Sequence, residues 1–303
     1  MLSGADPVID GTPPGGVLPM RSIVPALDLP MVLKPRFEKG KTYRFVSSSH
    51  IQMSIPGLGF RSIEMELQAR FDAVARAKGK KGITLRGLTE HLVVKIQSPN
   101  QTLAYDSLDP KARDTDLGKH FQAAMARRVE MELNRKNRIV SFREIGRAVL
   151  PGPMPGLPEF GPDELKQLVS IILQGYSSDE VKPGDLWDLV GKQKVGQAEV
   201  RDVDMKYRQA GQMLQDEATC IVIEFGGIVK EEAAPDEASK PELPLNRIEG
   251  RMLFDPVAKM VRLVEQTVST SVAMPTSDPA AAPLLIPVEQ KISISLLHIV
   301  PTK

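Results

Sequence analysis

The sequence predicts an α+β protein, mainly antiparallel β, in which two duplicated curved sheets (half-barrels) are packed by a few helices. Three observations lead there. Long segments alternate apolar and polar residues at period two, as antiparallel strands with one wet face do. Two shorter segments carry helical stripes instead. Short motifs in residues 36–149 return in the same order in residues 181–303, as expected if one unit has been doubled.

The clearest strand is SIEMELQARFDAVA. Ile63, Met65, Leu67, Ala69, Phe71 and Ala73 share one face, and Glu64, Glu66, Gln68, Arg70 and Asp72 the other. A helix would use Ile63, Leu67, Phe71 and Val74, but the strict alternation favours strand. RVEMELNRKNRIVSF alternates at Val129, Met131 and Leu133, turns at the polar residues 134–137, and continues into a second strand. Val203, Met205 and Tyr207 alternate in the second half, as do Ile292, Ile294 and Leu296.

DTDLGKHFQAAMARR reads as a helix with Leu117, Phe121, Ala124 and Met125 on one stripe. Asp114 or Asp116 is placed to cap it, and Arg127 and Arg128 suit its C-terminal dipole. GPDELKQLVSIILQG reads as a second helix with Leu165, Leu168, Val169 and Ile172 inward, opened by Pro162 and Asp163 and closed by Gly175.

Proline-rich stretches divide the chain. Residues 1–35, with seven prolines, read as a disordered leader. Residues 36–149 form a first sheet-and-helix half, and 150–180 a proline-rich connector with a linker helix. Residues 181–303 form a second sheet half with mobile loops at 230–244 and 274–287. Proline has no N–H to donate, so strands are expected between these stretches. The halves match at EKGKTYRFV and KPGDLWDLV, at IEMELQA and VDMKYRQ, and at LAYDSLDP and RMLFDPVA. The last match pairs Tyr105-Asp106 with Phe254-Asp255: an aromatic packed inward and an Asp shaping a turn.

KGKTYRF, the alternating MEL strand, the YDS strand end and the closing VEQKISISLLHI resemble an uncharacterised family of exported bacterial proteins. The resemblance covers roughly residues 36–300. It implies tandem half-barrels, similar in outline to the LolA/LolB-type lipoprotein carriers, and a periplasmic or extracellular location. No known activity comes with it. The chain departs from that family in lacking an export signal, so it is either a mature form or a cytoplasmic protein.

Composition narrows the function. A formal net charge of +1 and 5% aromatic residues give no sign of a nucleic-acid partner. No apolar run approaches the ~18 residues of a membrane-spanning helix. The single cysteine, Cys220, stands among apolar neighbours and reads as a small core residue. The four histidines, His50, His91, His120 and His298, are too far apart in sequence for a local metal pair, and no cofactor motif occurs. Gly226 and Gly227 precede no helix and read as a hairpin turn or bulge, not a phosphate cradle. RAKGKKG (76–82) reads as a solvated hairpin tip.

Ser107, His120 and Asp106 allow a hydrolase reading, against which Asp106 and Asp109 are ordinary turn formers and His120 rides on a helix face. No catalytic residue is therefore assigned. The expected function is non-enzymatic binding of an apolar or lipid-like ligand in a concave sheet, with Met65, Leu67, Phe71, Met131, Met205, Tyr207 and Met252 on the concave faces. The alternative is a structural or protein-interaction module of the cell envelope.

Overall fold

The computed structural model describes residues 30–55, 59–76, 82–145, 162–177, 179–195, 199–229, 246–274 and 284–302. The leader up to residue 29, the connector 150–161, residues 77–81 of the basic hairpin tip, and the loops 230–244 and 275–283 lie outside the described residues.

Twelve strands are described. They are β1 (Lys41–Ile55), β2 (Gly59–Ala75), β3 (Ile83–Ser98), β4 (Gln101–Asp106), β5 (Arg128–Leu133) and β6 (Ile139–Ile145). There follow β7 (Leu186–Val195), β8 (Glu199–Gln215), β9 (Ala218–Val229), β10 (Arg247–Asp255), β11 (Met260–Met274) and β12 (Leu284–Pro301). All belong to one antiparallel sheet in the order β6-β5-β3-β2-β1-β12-β11-β10-β9-β8-β7. β4 and β5 share one flank of β3: β4 pairs residues 93–98 and β5 pairs residues 83–88. The two sheet halves are continuous through the β1–β12 ladder, and the sheet does not close into a barrel.

The alternation read from the sequence sets the faces. In β2, Ile63, Leu67, Ala69, Phe71 and Ala73 are buried. Val129, Met131 and Leu133 are buried in β5, Val203, Met205 and Tyr207 in β8, and Ile292, Ile294 and Leu296 in β12. The helices α1 (Pro110–Arg113), α2 (Asp116–Met125) and α3 (Pro162–Leu173) supply cover. α3 packs on β3, β5 and β6 with Leu165, Leu168, Val169 and Ile172 buried, and α2 packs on β3 with Phe121 and Ala124 buried. Aromatic pairs stand at matching places in each half: Tyr43 opposite Phe71, and Trp187 opposite Tyr207, stacked at 5.7 Å.

The polar face is organised as cross-strand charge rows. Asp72, Arg86, Glu130 and Arg143 lie in register across β2-β3-β5-β6. Arg208, Glu224, Arg251 and Glu265 do so across β8-β9-β10-β11. Arg143 pairs with Glu130, Arg208 with Glu224, and Arg251 with Glu265 at 2.6 Å. The more exposed Arg208–Glu224 and Arg251–Glu265 pairs each contribute less than about 1 kcal/mol, while Glu130 is buried beneath its arginines. As rows they penalise any slip of register, because like charges would then face each other.

Four expectations are corrected. The stretch 30–35, assigned to a disordered leader, is packed: Met31 exchanges backbone hydrogen bonds with Val181 (3.0 and 2.9 Å), and Leu33 is fully buried. Its apolar side chains find room where the sheet curls. Thr115, not Asp114 or Asp116, caps α2, because its hydroxyl is the one that reaches the Gly118 N–H, at 2.9 Å. Gly226 and Gly227 form neither turn nor bulge but pair regularly inside β9. A side chain at Gly227 would strike the Asp204 carbonyl and come within 2.5 Å of Met205 Sδ, so glycine is needed for close strand packing. Finally, the loop expected to run to residue 287 gives way to strand at Leu284. Pro287 pairs only with Ser271 of β11, because the β1 ladder ends at Met53 opposite Val288, so its missing N–H costs no ladder bond.

Bulges bend the sheet. Register shifts leave Glu90, Ala210, Arg262 and Leu297 without a direct partner. Beyond Ala210 the faces of β8 exchange. Met213 therefore joins Cys220, Val222, Leu253 and Leu263 in a small second apolar cluster on the other side of the sheet. Glycines make room in the main core: the Phe71 ring sits against Gly87 and the Phe225 ring against Gly250.

A methyl group at Gly250 would overlap the Glu265 carbonyl and lie 2.6 Å from the Phe225 ring, whereas at Gly191 the nearest atom is 3.8 Å away. Gly250→Ala is expected to lower unfolding free energy by about 2 kcal/mol or more. Gly191→Ala is expected to change it by less than about 1 kcal/mol, with any gain coming from reduced unfolded-state entropy. Urea denaturation of both variants checks the contrast.

Candidate functional site

The end of α3 and the β7–β8 hairpin enclose a cavity of about 630 Å³. Its sheet wall is apolar, built from Leu189 of β7 and Val203, Met205 and Tyr207 of β8. Val203, Met205 and Tyr207 face inward because they alternate with Asp202, Asp204 and Lys206. The opposite wall comes from the segment after α3. That helix ends at Leu173, and Gly175 turns the chain with φ +86°. The Gly175 carbonyl accepts a hydrogen bond from Trp187 Nε1 at 3.2 Å. A Cβ there would lie 2.6 Å from the Tyr207 ring and 2.8 Å from Met252 Cε, so the turn fits closely over β8 and β10.

Two tyrosines, Tyr176 and Tyr207, are among the lining residues. Burial pushes the Tyr207 hydroxyl up to about 12 and, with a smaller contribution from Tyr207, the Tyr176 hydroxyl well above its ordinary value. Among the described residues, the buried Tyr176 hydroxyl has no hydrogen-bond partner. A buried O–H without an acceptor costs about 1–3 kcal/mol.

The mouth is built differently. Asn134 Oδ1 accepts from the backbone N–H groups of Lys136 (2.9 Å) and Arg138 (3.1 Å), fixing the β5–β6 turn. Asn137, with φ +57°, donates from its side chain to the Pro35 carbonyl and so ties this turn to the segment carrying Lys34. Lys34, Lys136 and Arg138 all line the cavity, and no described lining residue is acidic.

Of the residues expected on the concave faces, Met205 and Tyr207 line the cavity. Met252 lies beside it against Gly175. Leu67, Phe71 and Met131 are sealed in the core, and Met65 is half-buried against it. Over β3, β5 and β6 that face is covered by α2 and α3. Val203 was visible in the alternation. Leu189, Tyr176 and the three cations were not, because four separate chain segments bring them together.

The Ser107, His120 and Asp106 side chains are otherwise engaged. Asp106 accepts from the Leu108 N–H at 2.8 Å and contacts His91 Nε2, not His120, at 2.9 Å. The Leu108 hydrogen bond, then His91, holds the Asp106 carboxyl below its usual range. Ser107 Oγ accepts from the Leu92 N–H at 3.0 Å. His120 is buried on α2 with its ring edge-on to Phe121. Asp255 plays the turn-shaping part in the second half, accepting from the N–H groups of Val257 (2.9 Å) and Ala258 (2.8 Å) while pairing with Arg262 at 2.8 Å. Tyr105 and Phe254 beside these carboxylates are both buried. Burial pushes the Cys220 thiol up to about 11, consistent with a core residue.

Among the described residues, no group of three or more His, Cys, Asp or Glu side chains could hold a metal ion, and no helix is long and apolar enough to cross a membrane. No family model matches the sequence, and no curated protein matches it. Among solved structures, the chain is similar in fold to lipovitellin, in a structure described through its lipid–protein interactions. The TM-score is 0.52 at 10% identity, over 88% of this chain and 26% of the lipovitellin chain. The chain thus corresponds to about a quarter of that protein's length. DynF of the dynemicin biosynthesis pathway of Micromonospora chersina aligns over 90% of this chain and 88% of its own at 8% identity, with a TM-score of 0.21, too low to bear on the fold.

Asp255 is 3% exposed and Asp106 48% exposed, so the two turns differ in cost. Asp255→Ala, which strands Arg262 and two N–H groups, is expected to destabilise by about 3 kcal/mol. Asp106→Ala is expected to cost about 1 kcal/mol, as for a lost cap. Because the Asp106 carboxyl is held low, its share of stability is present at neutral pH and fades as pH falls through its depressed value. Denaturant titration at pH 7 and at pH 3 measures both effects.

Proposed function

We propose that the chain is a non-enzymatic, exported binding protein that holds an apolar or lipid-like ligand against the inner face of β7 and β8. The observation that carries this reading is the cavity at the end of α3. Its volume falls within the ~300–1,000 Å³ usual for ligand sites, and its sheet wall is apolar. Each ligand methylene buried there contributes about 0.8 kcal/mol, so about eight would supply roughly 6 kcal/mol before the cost of immobilisation. Met205, on the apolar wall, adapts to flexible chains. The fold likeness to lipovitellin supports the choice of a lipid-like class. The periplasmic or extracellular location rests on the family resemblance in the sequence.

A second reading, a protein-interaction module of the envelope, rests on β7. This terminal strand of the sheet leaves Leu186 73% and Val190 76% exposed, and an extended peptide could add beside it.

Native mass spectrometry of the purified protein, before and after organic extraction, tests the first reading. The expected result is an adduct removed by extraction and restored by an added long-chain amphiphile. Leu189→Arg, which puts a charge into the apolar wall, should lower uptake at least about tenfold. A protein that carries no adduct and takes up no amphiphile would sink the reading.

A further inference from the structure

Resting on that reading, we propose that the cavity selects amphiphiles with an oxyanion head, carboxylate or phosphate, bound at the mouth by Lys34, Lys136 and Arg138. The argument begins with charge. Over the whole chain, basic and acidic residues nearly balance, 39 against 38. At this one opening three cations and no carboxylate line the described wall. Elsewhere on the sheet, arginines are matched by carboxylates in the cross-strand rows. Among the described residues, none of these three cations has a carboxylate partner.

The arrangement is built rather than a chance meeting of surface lysines. Lys136 and Arg138 sit on a turn held by Asn134. Lys34 belongs to a different segment, anchored before it by the Met31–Val181 bridge and buried Leu33, and after it by the Arg36 N–H donating to the Lys259 carbonyl at 2.7 Å. The Asn137 hydrogen bond to the Pro35 carbonyl locks the two together. The cations thus stand at the opening while Leu189, Val203, Met205 and Tyr207 form an apolar wall, which matches a molecule with a charged head and an apolar tail. Lysine and arginine together suit either oxyanion: arginine as a planar fork, lysine as a point charge.

Three probes with the same twelve-carbon tail test this on the full chain: dodecanoate, dodecyl phosphate and dodecanol. Dissociation constants would be measured below micellar concentration at low and high salt. The expected result is that at least one anionic probe binds about tenfold more tightly than the alcohol, and that this advantage shrinks at high salt. Carboxylate over phosphate would point to free fatty acids, and the reverse to phospholipid-type heads. In the double variant Lys136→Glu and Arg138→Glu, both side chains exposed on a turn, the anionic advantage should vanish while dodecanol binding stays within about twofold. Circular dichroism confirms that the variant is folded. Equal affinity for all three probes would overturn the head-group proposal and leave the apolar cavity standing. Binding of none would overturn the reading beneath it. An anionic preference that survives the double variant would also overturn the assignment to this mouth.

Discussion

From Lys41 opposite Pro301 to Met53 opposite Val288, β1 and β12 are hydrogen-bonded to each other, and every strand but β4 is reached by stepping outward from that pair one neighbour at a time. Thr42 extends the seam by bonding both Asp72 of β2 (2.6 Å) and Thr302 (3.2 Å), and buried Gln290 donates to Ser49 at 3.1 Å. Without this ladder the two meanders would be separate sheets, each with a long central edge bare of partners. With it, one apolar face spans the whole structure and has to be covered from a single side.

That cover explains both the core and the cavity. α2 and α3 lie over the β3-β5-β6 end, and the segment 30–37 closes over the concave side with Leu33 and Phe37 buried. α3 stops at Leu173, short of β7 and β8. Their inner face is left to Tyr176, Gly175 and open space. The proposed binding function lives where the protein's own helix runs out.

What could be read from the sequence was whatever alternation alone decides: the long strands, their inward faces, the two amphipathic helices and the burial of Cys220. What could not be read depends on neighbours far away in sequence. A bulge needs a partner strand to define it, so the exchange of faces beyond Ala210 in β8 left no trace in QAGQMLQ. Gly227 looked like a turn because its reason is Met205, about twenty residues earlier. Pro287 looked like a strand breaker because only the full register shows that the β1–β12 ladder has already ended there. The site was half legible for the same reason: Met205 and Tyr207 lie on an alternating strand, whereas Lys34 meets Lys136 and Arg138 only after two distant segments have folded together. The Tyr-Asp-Ser stretch was legible in kind, since its carboxylate and hydroxyl serve neighbouring backbone N–H groups.

The seam also sets an order of assembly. β1 pairs with β2, the next strand in sequence, but its other flank stays open until residues 288–301 exist, nearly the whole described length later. During synthesis the nascent first half therefore presents a long unpaired strand flank to its surroundings for most of the time the ribosome takes to finish. Ser47, Ser48 and Ser49, with His50 and Gln52, form a polar run in β1, and Ser49 gains its hydrogen bond from Gln290 only when β12 arrives. That run lowers the apolar content that another chain would pair with while the flank waits.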